Sequence, residues 1–362
     1  MRMAFYKPDY LTWEASSKIY QFHGYMTCFL NKYVDVIYAY SADKRKTYEQ
    51  ALNRRGLSNH YTYVYSLDAL NEQCDVLIMP GITYKLPYAE EIGHFKGVKI
   101  QHLFDYYLDC KYAAEYYTKI GIDYVIGHCQ MDRHCPLFNK YYSSFVGRVI
   151  NLPMGYSDRF RCKTSFDNRE NKAIAVGSLL PIKSITDFGV VEMVEMFPDA
   201  KYMTPVREFV RFHEAELNDC IDTRFPTSST GRDYSFDMVD LLNQYKMFIN
   251  DEAIFNMPLC KTFEGIACGS VMVAQHNEIF HDLGFIPDKN YISFTKNDYS
   301  EMVDKVRYYQ SNPHILSQLQ EKSLQLAERY THEKIADVLY KKITDVVYGK
   351  YDYTCTCIKP SK

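Results

Sequence analysis

The sequence predicts an α/β protein built from two doubly wound, mostly parallel sheets. Short apolar, β-branched runs alternate with longer segments of helical period, the pattern of strands covered by helices on both faces. At 362 residues the chain exceeds the size at which one hydrophobic core usually divides, so two domains are expected. The alternation also stops in a polar stretch after Gly155 and then restarts. A hydrophobic content of 47% is enough to fill two cores.

Taken in order, Met3 to Tyr6 reads as a first strand, Ser16 to Lys32 as a helix and Val34 to Tyr40 as a second strand. Cys74 to Met79 is a strand ending at Pro80-Gly81, Val98 to Phe104 and Tyr124 to Gly127 continue the sheet, and Val149 to Pro153 closes it. Ligands of such sheets bind beyond the carboxyl ends of the strands, which singles out Gly81, His102, Asp105 and His128. The run SDRFRCKTSFDNRENK is polar and charged and suits a linker. Ala173 to Val176 then opens the second half as a strand. Gly177-Ser178 follows it at once, a tight exit that can bring backbone N–H groups near a phosphate. Phe248 to Asn250 is a strand leading through an acidic loop. Thr331 to Tyr348 is an amphipathic helix with Ile335, Val338, Leu339 and Ile343 on one side.

Composition narrows the function. A formal charge of -3 and a pI near 6.4 do not suit a protein built to bind nucleic acid. The start, MRMAFYKPDYLTWEASSK, lacks the apolar core of a signal peptide, and no run of eighteen apolar residues occurs, so a cytoplasmic protein without a membrane span is expected. Eleven cysteines at irregular spacing read as reduced thiols. His128-Cys129 and His134-Cys135 do not have zinc-knuckle spacing, and Cys355 and Cys357 sit in a polar tail. The basic run Lys44, Arg45, Lys46, with Arg54 and Arg55 beyond it, is either a solvated helix face or a peripheral contact with an anionic membrane. Thirty-four tyrosines against one tryptophan reflect either a bias of composition or rings suited to sugar faces.

The densest signal is residues 256–275, NMPLCKTFEGIACGSVMVAQ. Leu259, Phe263, Ile266 and Ala267 form a helical apolar stripe. Asn256 is placed to cap the helix, Pro258 to occupy its first turn and Gly269 to end it in a left-handed residue, after which Ser270 to Ala274 reads as a core strand. Glu264 lies at the edge of the buried stripe in an uncharged turn. Its partner is either Lys261, three residues earlier, or the two hydroxyls of a sugar or ribose diol.

Lys261, Thr262, Phe263, Glu264, Gly265, Ile266, Ala267, Cys268 and Gly269 resemble the C-terminal nucleotide-binding domain of GT-B glycosyltransferases, in particular the group-1 and CgeB-like families. HNEIFHDLGFIPDKNYISF, DYSEMVDKVRYYQSNPHILSQL and Tyr330-Thr331-His332 follow the same order of elements, and the likeness runs from about Asn171 to Val347. It implies two Rossmann-like domains facing a cleft: an acceptor domain over 1–156, a linker at 157–171 and a nucleotide-sugar-binding domain over 172–330. A helix at 331–349 crosses back, and 350–362 is a tail. The implied activity is transfer of a sugar from a nucleoside diphosphate sugar to a glycan or lipid-linked acceptor, in surface polysaccharide or glycoconjugate biosynthesis. A nucleotide-sugar epimerase of the same fold and a non-catalytic nucleotide-sugar-binding protein are the alternatives.

By the same resemblance, Gly177 and Ser178 approach the diphosphate, Lys183 or Arg207 pairs with it, Lys261 adds charge and Glu264 takes the ribose end. Lys183 and Arg207 are each otherwise an exposed surface charge. Many retaining members carry an acid where Asn256 stands, so the stereochemistry stays open. No Asp-x-Asp motif occurs, which suits a site that uses no metal, with the nucleotide sugar as substrate and no cofactor. His102, Asp105 and Glu14 are the candidates for a base that deprotonates an acceptor hydroxyl. For His102 the other reading is a core histidine satisfied by a backbone carbonyl.

Overall fold

The computed structural model describes residues 1–14, 24–81, 83–103, 106–182, 191–225 and 236–353, with only the backbone of 13, 14 and 191. Two compact units emerge. The first comprises Met1–Arg133, Leu137–Leu152 and the last helix, His332–Val347; the second comprises His134–Pro136 and Pro153–Thr331.

The first unit holds seven strands: β1 (Met3–Tyr6), β2 (Val36–Tyr38), β3 (Thr62–Val64), β4 (Val76–Met79), β5 (Val98–His102), β6 (Tyr124–His128) and β7 (Val149–Leu152). They form one parallel sheet in the order β3-β2-β1-β4-β5-β6-β7. Strands such as β4, Val-Leu-Ile-Met, are buried at every residue because helices cover both faces. Ser41 and Ser66 start two of these helices, accepting from the N–H groups of Lys44 and Ala69 at 3.2 and 3.3 Å. The predicted Ser16 to Lys32 helix appears as Gly24–Tyr33, with 15–23 outside the described residues.

The last helix completes this first core. Ile335, Ala336, Leu339 and Ile343 pack with Met26, Phe29 and Leu30. Tyr340 stacks on Tyr33 at 4.2 Å between ring centres, and the Tyr33 hydroxyl donates to Asp337 at 2.6 Å. The His332 ring lies so close over Gly24 that a Cβ there would collide with it. The helix therefore packs against the N-terminal helix, as the amphipathic pattern and the resemblance imply.

The second unit holds β8 (Glu170–Val176), β9 (Ile221–Arg224), β10 (Tyr245–Ile249), β11 (Val271–Gln275) and β12 (Ile292–Phe294), again all parallel, in the order β12-β11-β10-β8-β9. The polar stretch before β8 is bound to this unit: Arg169 is buried and donates to the carbonyls of Thr164 and Cys268 at 2.9 and 2.7 Å.

Each order reverses at one place, between β1 and β4 in the first sheet and between β8 and β10 in the second. At such a reversal the flanking connections leave on opposite faces and open a crevice at the carboxyl ends of the strands. The fold thus nominates two crevices.

Candidate functional site

At the first crevice the described polar groups pair with one another. Lys7, the residue after β1, is buried and donates from Nζ to the Pro87 carbonyl at 2.6 Å, with Glu91 Oε1 at 3.5 Å. Its ammonium lies 4.6 Å from the Tyr6 ring centre and 4.9 Å from that of Tyr40. The hydroxyls of Tyr38 and Tyr6 donate to the same Glu91 at 2.8 and 3.1 Å. These charges are spent on one another.

The second crevice differs. β8 ends at Val176, and Gly177 follows with φ of +128°, a conformation that only glycine adopts readily. Two cations converge there. Lys261, in the first turn of the Cys260–Ala267 helix, donates from Nζ to the Val176 carbonyl at 2.7 Å. Arg207, in the Pro205–Phe212 helix, donates from Nη1 to the Ser178 carbonyl at 3.2 Å. A Cβ on Gly177 would collide with the Lys261 ammonium and with Arg207 Nη1. Arg207 is 5% exposed, and its Nε has no hydrogen-bond partner among the described residues. Burial, and then the adjacent guanidinium, hold the Lys261 ammonium well below the usual lysine range. An anion between the two cations would relieve that repulsion, so the cluster favours one.

One turn further along the same helix, Glu264 is half-buried. Its carboxylate makes no hydrogen bond among the described residues, and burial pushes it up to about 7 against the opposing fields of Lys261 and Arg159. The local alternative of an ion pair with Lys261 is not what forms, because Lys261 reaches the Val176 carbonyl. A half-buried carboxylate that no protein donor satisfies is a site for hydroxyl groups.

The end of β10 adds acids that the sequence reading passed over as a loop. Asp251 is 1% exposed and accepts from the backbone N–H groups of Arg207 and Ala253, each at 2.9 Å. Glu252, also buried, is pushed up to about 8 by burial and by Asp251 beside it, and accepts from Asn250 Nδ2 at 3.0 Å. Thr262 donates to Asn250 Oδ1 at 3.1 Å, tying the motif helix to the strand end. The available signal was an Asp-Glu pair directly after a core strand, where crevice residues of doubly wound sheets lie.

Asn256 is not a helix cap. The helix starts at Cys260, with Leu259 in the cap position and no side-chain cap bond. Asn256 sits in a left-handed turn with φ of +63°, its N–H donating to the Ala253 carbonyl, and Oδ1 accepts from Asn277 Nδ2 at 3.0 Å. Asparagine tolerates that conformation, and the turn at 252–257 uses it to reverse the chain before the helix begins. Gly269, at φ of +77°, does end the helix.

Among the proposed bases, His102 ends β5 and is 1% exposed, with Nε2 2.8 Å from the Tyr25 hydroxyl and Nδ1 3.2 Å from the Pro80 carbonyl. A single tautomer satisfies both contacts, and burial pushes its pKa down to about 4. That is the core-histidine arrangement the sequence left open. Glu14 ends the Tyr10–Glu14 helix and its side chain lies outside the described part; Asp105 and Lys183 lie outside the described residues. Within the basic run, Lys44 pairs with Asp9 at 2.8 Å and Arg45 with Glu49 at 2.7 Å, while Lys46 and Arg54 are exposed. No helix among the described residues is long and apolar enough to cross a membrane, and none of their His, Cys, Asp and Glu side chains are grouped to hold a metal ion.

Residues 207–340 match the family model described as Glycosyl transferase-like, a span that takes in Arg207, Asp251, Lys261 and Glu264. No curated protein matches the chain in sequence. Among solved structures, HepE of Anabaena in complex with UDP is similar with a TM-score of 0.55 at 9% identity, covering 95% of this chain and 100% of that one. The same protein in complex with UDP-glucose gives 0.53 at 10% identity over 95% and 100%. A glycosyltransferase from Rickettsia africae gives 0.51 at 10% identity, covering 96% of this chain and 98% of that one. At such identities the likeness is one of fold.

Proposed function

We propose that this chain, a glycosyltransferase by its matched domain and its GT-B fold, takes a UDP-sugar as donor and binds it in the crevice between β8 and β10. The observation that carries this reading is that the helix joining β10 to β11 sets a donorless Glu264 one turn from Lys261, which converges with Arg207 on Gly177. The ribose hydroxyls donate to the Glu264 carboxylate, and the diphosphate lies against Arg207, Lys261 and the Gly177–Ser178 loop. HepE, of the same fold, was solved with UDP and with UDP-glucose, which makes uridine the first base to test. The acceptor in this reading is a glycan or a lipid-linked acceptor.

In the reaction the bond from the anomeric carbon to the diphosphate oxygen breaks, its electron pair leaves with UDP, and an acceptor hydroxyl forms the new bond as its proton passes to a general base. The sugar carries oxocarbenium character at the midpoint, so stabilising the departing charge lowers the barrier directly. Arg207 and Lys261 are in place before the substrate arrives; the diphosphate offsets the repulsion that lowers the Lys261 pKa, and both cations then stabilise the leaving group.

A thermal-shift screen of UDP, GDP, CDP, CMP and dTDP tests the donor class. A nucleotide at a hundred times its dissociation constant adds about 2.7 kcal/mol of stability, so UDP should raise the melting temperature most. No shift with any of the five would remove the reading. Glu264→Ala should weaken UDP about 10- to 100-fold by calorimetry, the size of hydrogen bonds to a charged group. The fold should survive, because Phe263, Ile266 and Ala267 still bury the stripe. Equal affinity in wild type and variant would place the ribose elsewhere.

A further inference from the structure

The helix that carries Arg207 lacks its own cap. Thr204 stands in the cap position of the Pro205–Phe212 helix without making a cap bond, and its Oγ1 is buried with no partner among the described residues. The first turn of any helix leaves backbone N–H groups that need acceptors. Here the acceptor comes from 44 residues away: Asp251 Oδ2 takes the Arg207 N–H at 2.9 Å. Its second oxygen, Oδ1, takes the Ala253 N–H at 2.9 Å, which fixes the carboxylate in its own turn. The Ile254 N–H adds a further tie to the Met203 carbonyl at 2.9 Å. Residues 251–254, at the carboxyl end of β10, therefore grip 203–207 at two backbone points.

This grip bears on one side chain. Arginine has many rotamers, and its fork is only as well placed as the Cα from which it extends. Arg207 nevertheless reaches the Ser178 carbonyl and keeps a buried, unspent Nε. We propose that Asp251 is a positioning residue for the diphosphate end of the donor, anchoring the main chain of Arg207 so that its guanidinium stands over the Gly177–Ser178 loop. This rests on the reading of Arg207 as a phosphate ligand. Asparagine cannot replace the aspartate, since one of its two positions would present N–H₂ to a backbone N–H.

The experiment is a double-mutant cycle read by calorimetry with UDP and with uridine, on wild type, Asp251→Asn, Arg207→Ala and the double variant. Asp251→Asn should weaken UDP about tenfold while leaving uridine unchanged, because only the phosphate end is displaced. In the Arg207→Ala background the same change should cost nothing further, since the group it positions is gone. Equal losses for UDP and uridine, or fully additive losses in the cycle, would overturn the proposal and leave Asp251 a purely structural acid. An unchanged UDP affinity in Arg207→Ala alone would instead remove the phosphate reading of Arg207, and this inference with it. If Asp251→Asn does not fold, Asp251→Glu keeps the charge but moves it by one methylene and should show the same contrast between UDP and uridine.

Discussion

Replacing Gly177 by alanine is expected to weaken UDP binding about 100-fold or more while both units remain folded. Two effects combine at this position. The backbone sits at φ of +128°, where an L side chain costs about 1–3 kcal/mol, and the added Cβ would occupy the space of the Lys261 ammonium and of Arg207 Nη1. Either the loop or the two cations must move, and in both cases the charge that meets the diphosphate is displaced. Losing one charge-assisted contact accounts for about 1.5–3 kcal/mol, and two are at stake. Gly56 is the control, since it has φ of +66° in the first unit with open space around its Cβ position. Gly56→Ala should carry a similar backbone penalty and leave UDP affinity at the wild-type level. Calorimetry on both variants checks this, and normal UDP binding by Gly177→Ala would move the diphosphate away from the loop.

Much of this arrangement was legible in the chain because buried strands and apolar stripes leave strong patterns. β1 appears with its predicted ends, and β4 and β8 lie where the runs before Pro80 and Gly177 put them, since continuous apolar runs mark strands covered on both faces. The strands that left no clear mark are β3, β9 and β12, three or four residues long and all at sheet edges. β3, Thr62-Tyr63-Val64, is half-exposed and carries little apolar period, while β12 is buried throughout but too short, at three residues, to show one. Glu264 was readable because an acid beside Phe263 and Ile266 breaks a local rule, and such breaks mark sites. Asp251 was not, since its role depends on a backbone N–H 44 residues earlier in the chain. The helix start was misread for a related reason. Asn256 has the chemistry of a cap, but the turn that it occupies was set by the 252–257 backbone.

Acidification from pH 6.5 to 5 should destabilise the first unit steeply, by as much as about 5 kcal/mol. Three buried histidines are responsible. Burial pushes His102 and His332 down to about 4 and His128 to about 3, the last also through the field of His102, whose ring is edge-on at 5.8 Å. His102 faces the Tyr25 hydroxyl and the Pro80 carbonyl, and His332 packs over Gly24. The sign follows from where the protons go. Each folded-state value lies below the unfolded value of 6.5, so between 6.5 and about 4 the unfolded chain binds more protons than the folded one. The stability these groups contribute is present above 6.5 and is lost as the pH falls, at up to about 1.4 kcal/mol per pH unit for each ring. A loss of that size is a large part of the 5–15 kcal/mol that holds a typical domain together, so the effect should be visible as early unfolding. The histidines reach into the sheet through β5 and β6 and into the last helix through His332, so the whole first core should fail as one unit. Thermal melts in matched buffers from pH 7.5 to 5 check this, with UDP present to mark the second unit as the transition that it raises. The transition that UDP does not raise should fall by many degrees below pH 6.5. A melting temperature that stays level to pH 5 would mean that these rings are already protonated, or hydrated, in the folded protein.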